Sequence, residues 1–207
     1  MWQAQARRRA IPLAVVIAAA VATMSIAGCG GDQNNSAAGN AGHGNSTGVA
    51  RHGTADIAFV QGMIPHHEQA LAMAELALAP NTQAGQAVRN LAARIRRAQG
   101  PEISLMRGWL SKWGESEAAG GHQMSGTATE QDLSSLVQVT GDEFDKMWLT
   151  MMIAHHEGAV EMAKSVKGTG SDVDAKQLAD RIISAQRDEI TEINGCSPGN
   201  WFAPRLL

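Results

Sequence analysis

The stretch FVQGMIPHHEQALAMAEL, residues 59–76, sets two adjacent histidines in an alanine-rich apolar run with a methionine on either side, and WLTMMIAHHEGAVEMAKS, residues 148–165, does the same again. Displaced by 89 positions, Met63, Ile64, His66, His67, Glu68 and Ala70 fall on Met152, Ile153, His155, His156, Glu157 and Ala159. Asp56, Phe59, Met73 and Ala74 fall on Asp145, Trp148, Met162 and Ala163. A second block, LAARIRRAQGPEI at 91–103, falls on LADRIISAQRDEI at 178–190 with a displacement of 87, the loops absorbing the difference. The chain is an internal duplication of a helix-loop-helix unit.

Composition sets the fold class. With 207 residues and 44% hydrophobic content the chain can bury one real core. It has no tyrosine and only 4% aromatics, while alanine, leucine, methionine and glutamate abound, so an all-α domain is expected. The repeats occupy about 54–113 and 141–194, joined by a linker at 114–140. Each reads as a hairpin: helices from Thr54 to Leu78 and Thr82 to Trp113, then from Gly141 to Lys167 and Asp172 to Asn194. Thr140 with Glu143 has the pattern of a capping box, and Pro65 and Pro101 are expected to kink their helices. Neither hairpin can bury its apolar stripe alone, so the two stack as a four-helix bundle. The linker is long enough to cross the length of that bundle, as in ferritin-like topology, and TEQDLSSLVQ within it suits a short helix.

Residues 1–28 read as a lipoprotein signal peptide: Arg7 to Arg9, the apolar core IPLAVVIAAAVATMSI, then IAGC ending at Cys29. That ending resembles a bacterial lipobox, which implies lipidation of Cys29 and anchorage to the extracytoplasmic face of the cell membrane. An ordinary signal peptide or a short membrane anchor is the alternative. Residues 29–53, rich in Gly, Asn, Ser and Ala and carrying His43 and His52, form a disordered tether; 195–207 are a C-terminal tail. With Cys29 lipidated, Cys196 has no intramolecular partner. The net charge of −3 and the absence of a basic stripe argue against nucleic acid; nothing in the sequence identifies a protein partner.

On a helix, residues three and four apart share a face, so Met63 lies beside His66 and His67, and Met152 beside His155 and His156, with the histidines expected to be partly buried. Met73 and Met162 continue the stripe two turns on. Imidazole with thioether is a copper set, and thioether favours Cu(I) in particular. A carboxylate di-iron bundle requires Glu-x-x-His, and here Met63 and Met152 hold the glutamate position. The second helix of each unit repeats Gln-x-x-Glu, Gln99 with Glu102 and Gln186 with Glu189; the two glutamates are candidates to orient ligating histidines from behind. Glu68 and Glu157 read as surface residues or ligand oxygens. His122 and Met124, in His-x-Met spacing within the linker, are a possible secondary metal pair.

The duplicated Met-x-x-His-His motif, in DIAFVQGMIPHHEQALAMAELAL and TGDEFDKMWLTMMIAHHEGAVEMAKSV, closely resembles the bacterial domain-of-unknown-function family of CopM-like copper-binding proteins. The resemblance covers about residues 54–194. It implies a ferritin-like helical bundle outside the cytoplasm, linked to copper binding and resistance, and it implicates Met63, His66, His67, Met152, His155 and His156, with Met73 and Met162 less directly. The chain departs from the family where Ile193 stands in the second Glu-Ile-x-x-Met, although Met106 fits the first. The expected function is a membrane-anchored copper binder, serving sequestration, tolerance or delivery, rather than a catalyst. A ferritin-like metal-dependent oxidase and a metal-free interaction module with structural histidines are the alternatives.

Overall fold

The computed structural model describes residues 52–117 and 124–195, and within them every regular element is helical. The elements are α1 (Thr54–Leu78), a 3₁₀ turn (Pro80–Thr82), α2 (Gln86–Trp113), a short α3 (Glu130–Leu136), α4 (Gly141–Thr169) and α5 (Val173–Gly195). The four long helices are the two hairpins of the duplication, α1–α2 and α4–α5. No described helix is long and apolar enough to cross a membrane.

The helix limits follow the sequence closely except at two ends. The helix expected from Thr82 begins at Gln86, because Pro80–Thr82 winds as a 3₁₀ turn and Gln83 takes a left-handed φ of 54° that no helix continues. Thr140 precedes α4 but its side chain makes no cap; Gly141, at φ 61°, brings the chain in from a direction the Thr140 hydroxyl does not serve. The reciprocal box forms one element earlier, where the Thr129 hydroxyl accepts from Asp132 N–H and Asp132 Oδ2 accepts from Thr129 N–H. α1 continues through Pro65 and α2 through Pro101 without interruption.

α1 and α4 lie antiparallel across the repeat boundary. Trp148, early in α4, donates its indole N–H to the carbonyl of Met73, late in α1, at 2.8 Å. At the other end Asp56, in the first turn of α1, accepts the N–H groups of Ser171 and Asp172 just beyond α4. Its repeat partner Asp145 accepts the N–H of Gly85, just before α2. Each repeat thus satisfies the loose backbone donors of the other, a reciprocal pair expected of a pseudo-two-fold. Because α1 opposes both α2 and α4, α2 and α4 run parallel, and the segment between them traverses the bundle. It returns against α4 with backbone on backbone: a Cβ placed on Gly158 would fall within 1.9 Å of the Ser125 carbonyl oxygen, and one on Gly126 within 2.2 Å of the Ala154 oxygen. Gln69 on α1 clips the same segment, donating to the Ala128 carbonyl and accepting its N–H.

The core is divided in two. Phe59, Val60, Met63 and Ile64 of α1 pack with the second half of α2, the second half of α4 and the first half of α5. Ala70, Met73, Ala74 and Ala77 pack with the opposite halves of α2 and α4 and with Ile193 and Leu136. Between these clusters every long helix carries buried polar residues: His66 and His67, Gln99, His155 and His156, and Gln186. The bundle has a polar middle layer between two apolar ends.

Candidate metal centre

All four histidines of the duplicated motif are fully buried, at 0% exposure, deeper than the half-burial that helical spacing alone suggests. Adjacent histidines on a helix point about 100° apart. The second of each pair therefore faces its own hairpin partner, and the first faces the other repeat. His67 Nε2 lies 2.8 Å from Glu102 Oε2 on α2, and His156 Nε2 lies 2.7 Å from Glu189 Oε2 on α5. Each repeat thus pairs its second histidine with the glutamate of its Gln-x-x-Glu. His66 and His155 instead meet across the pseudo-two-fold with ring centroids 3.8 Å apart, and His155 Nε2 reaches the His66 carbonyl oxygen at 2.9 Å.

These contacts fix the tautomers. Carboxylate and carbonyl oxygens only accept, so Nε2 of His67, His155 and His156 must carry the proton and donate it. The Nδ1 atoms of all three are buried without a partner, as are both ring nitrogens of His66. The backbone of Ser125 offers His66 only a weak, poorly aligned contact. Burial, reinforced by repulsion from neighbouring His67, pushes the His66 imidazole down to about 3; burial, reinforced by His66, pushes His155 down to about 2. Both stay neutral, the form that coordinates metal, throughout the physiological range. A buried acceptor left unpaired costs about 1–3 kcal/mol, and here such atoms cluster in one layer.

The methionines fall on both sides of the layer. Met63 is in one apolar cluster with half-buried Met162 packed against it, and Met152 and Met73 are in the other. Each cluster thus holds methionines from both repeats. Met106 joins the first cluster, while its repeat counterpart Ile193 lies in the second, against which half-buried Met147 and Met151 also pack. Among the described residues no three His, Cys, Asp or Glu side chains converge as a preformed cage. The donors brought together are imidazoles from both repeats, with thioethers above and below.

Other candidates separate from this layer. Glu68 is half-exposed and paired with Arg107 at 2.5 Å, and Glu157 lines a surface groove of about 590 Å³ beside the returning segment, so both are surface residues. Met124 is half-buried on that segment. Its partner His122 lies outside the described residues, as do Cys29, His43 and Cys196. His52 stacks on Trp113 at 4.7 Å. Gln99 and Gln186, part of the layer at 3% exposure, stand out in the sequence only as members of the Gln-x-x-Glu pattern, because glutamine usually marks a solvated face. Their matching positions in the two repeats, in seams otherwise apolar, were the available signal.

A sequence profile of the domain of unknown function DUF305 matches residues 56–196. A DUF305 fragment from Deinococcus radiodurans is 29% identical, with TM-score 0.64, over 70% of this chain and 95% of its own. CopM in the Cu(I)-bound form is 31% identical, with TM-score 0.59, over 72% of this chain and 98% of its own; CopM is also known in Cu(II)-bound and Ag-bound forms. An uncharacterized protein of Acanthamoeba polyphaga mimivirus is 44% identical over 50 residues, 24% of this chain and 33% of the viral protein. The match therefore spans about a third of that curated relative.

Proposed function

This chain belongs to the DUF305 family, and from that membership we propose that it is an extracytoplasmic copper-binding lipoprotein, held to the membrane through Cys29, that sequesters or delivers copper. The observation that carries the reading is the central layer, where four buried imidazoles from two repeats present five unpartnered nitrogens. The copper-bound and silver-bound forms of CopM support the choice of ion. Met63, His66, His67, Met152, His155 and His156 are the assigned ligand set, with Met73 and Met162 in the same two clusters. Glu102 and Glu189 fix the Nε2 protons of His67 and His156 and supply negative charge behind them, which raises imidazole basicity toward a cation. Thioether donors favour Cu(I).

Anaerobic titration of tag-free protein with Cu(I) against a chromophoric competitor, followed by X-ray absorption, tests this. Nitrogen and sulfur neighbours are expected around the metal. The variant His66→Ala/His67→Ala should bind less copper, or bind it more weakly, with its helical circular dichroism retained. Unchanged binding would remove these histidines from the site. Oxygen uptake by the copper-loaded protein should stay at background; sustained uptake would favour the oxidase reading.

A further inference from the structure

Gln99 and Gln186 are buried polar groups that the ligand set above leaves unused. Each stands one helical turn before the glutamate that holds His67 or His156, and so shares its face. Each is 97% removed from solvent, at 3% exposure, and each leaves its carboxamide Oε1 without a hydrogen-bond partner. The seams around them are apolar: Ile95 and Ile103 flank Gln99 on α2, and Ile182 precedes Gln186 on α5. Leucine would fill either position without burying an orphaned oxygen. The glutamine nevertheless occurs in both repeats, while its immediate neighbour differs, Gly100 in one and Arg187 in the other.

A neutral carboxamide oxygen adds little to Cu(I), whose needs are met by thioether and imidazole, but it suits a divalent ion that combines imidazole nitrogen with oxygen. Charge points the same way. Glu102 and Glu189 place two negative charges behind the layer, enough to balance a divalent ion and one more than a monovalent ion requires. We propose that Gln99 and Gln186 supply carboxamide oxygens, directly or through a bound water, to a divalent ion held by the histidine layer, Cu(II) being the divalent ion bound in CopM. The proposal rests on the copper reading above and assigns the two oxidation states to different donors, oxygen for one and sulfur for the other.

The test uses the full chain, Cu(II) and Cu(I) titrations, and the electron paramagnetic resonance spectrum of the Cu(II)-loaded protein. Gln99→Leu/Gln186→Leu should lose about 10–100-fold in Cu(II) affinity, with a changed copper hyperfine splitting, while Cu(I) affinity holds. Its metal-free melting temperature should not fall, since two orphaned oxygens are gone. Gln99→Glu/Gln186→Glu, which keeps an oxygen at the same reach, should retain Cu(II). Should the double leucine variant fail to fold, Gln99→Leu alone gives the same reading at smaller amplitude. Unchanged Cu(II) affinity and spectrum overturn the proposal, as do equal losses for both ions, which mark a packing role. Wild-type protein that binds Cu(I) but not Cu(II) overturns it while leaving the copper reading intact; binding of neither overturns both.

Discussion

His66 and His155, separated by 89 positions in sequence, meet in the middle of the bundle with ring centroids 3.8 Å apart and ring planes tilted by 41°, and each comes from a different repeat. The central layer therefore belongs to neither hairpin. A single hairpin brings only one such ring, backed by one His67-type or His156-type pair. Duplication creates the layer because the pseudo-two-fold passes between these two rings.

Thioether and branched alkyl side chains fill similar space, so Met63→Leu/Met152→Leu isolates the sulfur. Both methionines are fully buried in opposite clusters, and the swap should change stability by less than about 1.5 kcal/mol. Cu(I) affinity should drop by more than Zn²⁺ or Cu(II) affinity, measured by competition titration. Equal losses for all three ions, or none, would falsify the soft-ligand assignment.

The reciprocal aspartates should respond oppositely to pH. Burial pushes Asp56 up, but the N–H groups of Ser171, Gly53 and Asp172 and the Ser171 hydroxyl outweigh it, and the carboxyl lies below its usual value of 3.8. Burial of Asp145 is opposed by Gly85 alone and aided by nearby Asp142, and that carboxyl lies above 3.8. With a lowered folded pKa, Asp56 contributes stability that is full above 3.8 and is lost as pH falls through the folded value. With a raised one, Asp145 contributes stability that is present below 3.8 and is lost as pH rises through the folded value. Asp56→Asn should cost about 1–3 kcal/mol at neutral pH, with the deficit shrinking in acid. Asp145→Asn should cost little or nothing at neutral pH. Denaturant melts across pH 2–7 (roughly the span over which carboxylates titrate) check this, and a larger neutral-pH cost at Asp145 would contradict it.

Gly158 is where α4 admits the returning segment, and the obstacle to a side chain there is backbone on both sides. Gly158→Ala should destabilise the fold by about 1–3 kcal/mol or more, although alanine is the better helix former by about 1 kcal/mol. Gly108, exposed on α2 with open space around it, is the control: Gly108→Ala should stabilise slightly. Thermal melts that rank the two variants in the reverse order would mean the segment is not seated as described.

Membrane anchorage is a separate prediction because it rests on residues before the bundle. Cys29→Ser should release the protein to the soluble fraction, since the tether from Gly30 onward carries no apolar stripe to hold a bilayer. Retention on membranes after a high-salt wash, with normal cleavage of the leader, would rule out the lipid anchor.

The all-helical class and the duplication are legible in the residues alone, as is a set of candidate donors. Helical periodicity is local, and a motif repeated at 89 residues states its own symmetry. The Gln-x-x-Glu repeat marked Glu102 and Glu189 as candidates to orient a ligating histidine, without distinguishing the two histidines of each pair. The packing of one repeat on the other settles that α1 and α4 pass antiparallel, that His66 meets His155, and that the methionines divide between two clusters. Those facts depend on how one repeat is rotated against the other, and helical periodicity fixes a face without fixing what lies across from it. The same holds for Gln99 and Gln186: their spacing sets them on the inner face with Ile95, Ile103 and Ile182. Only the packing of four helices turns that face into a closed layer where an unpaired oxygen is buried.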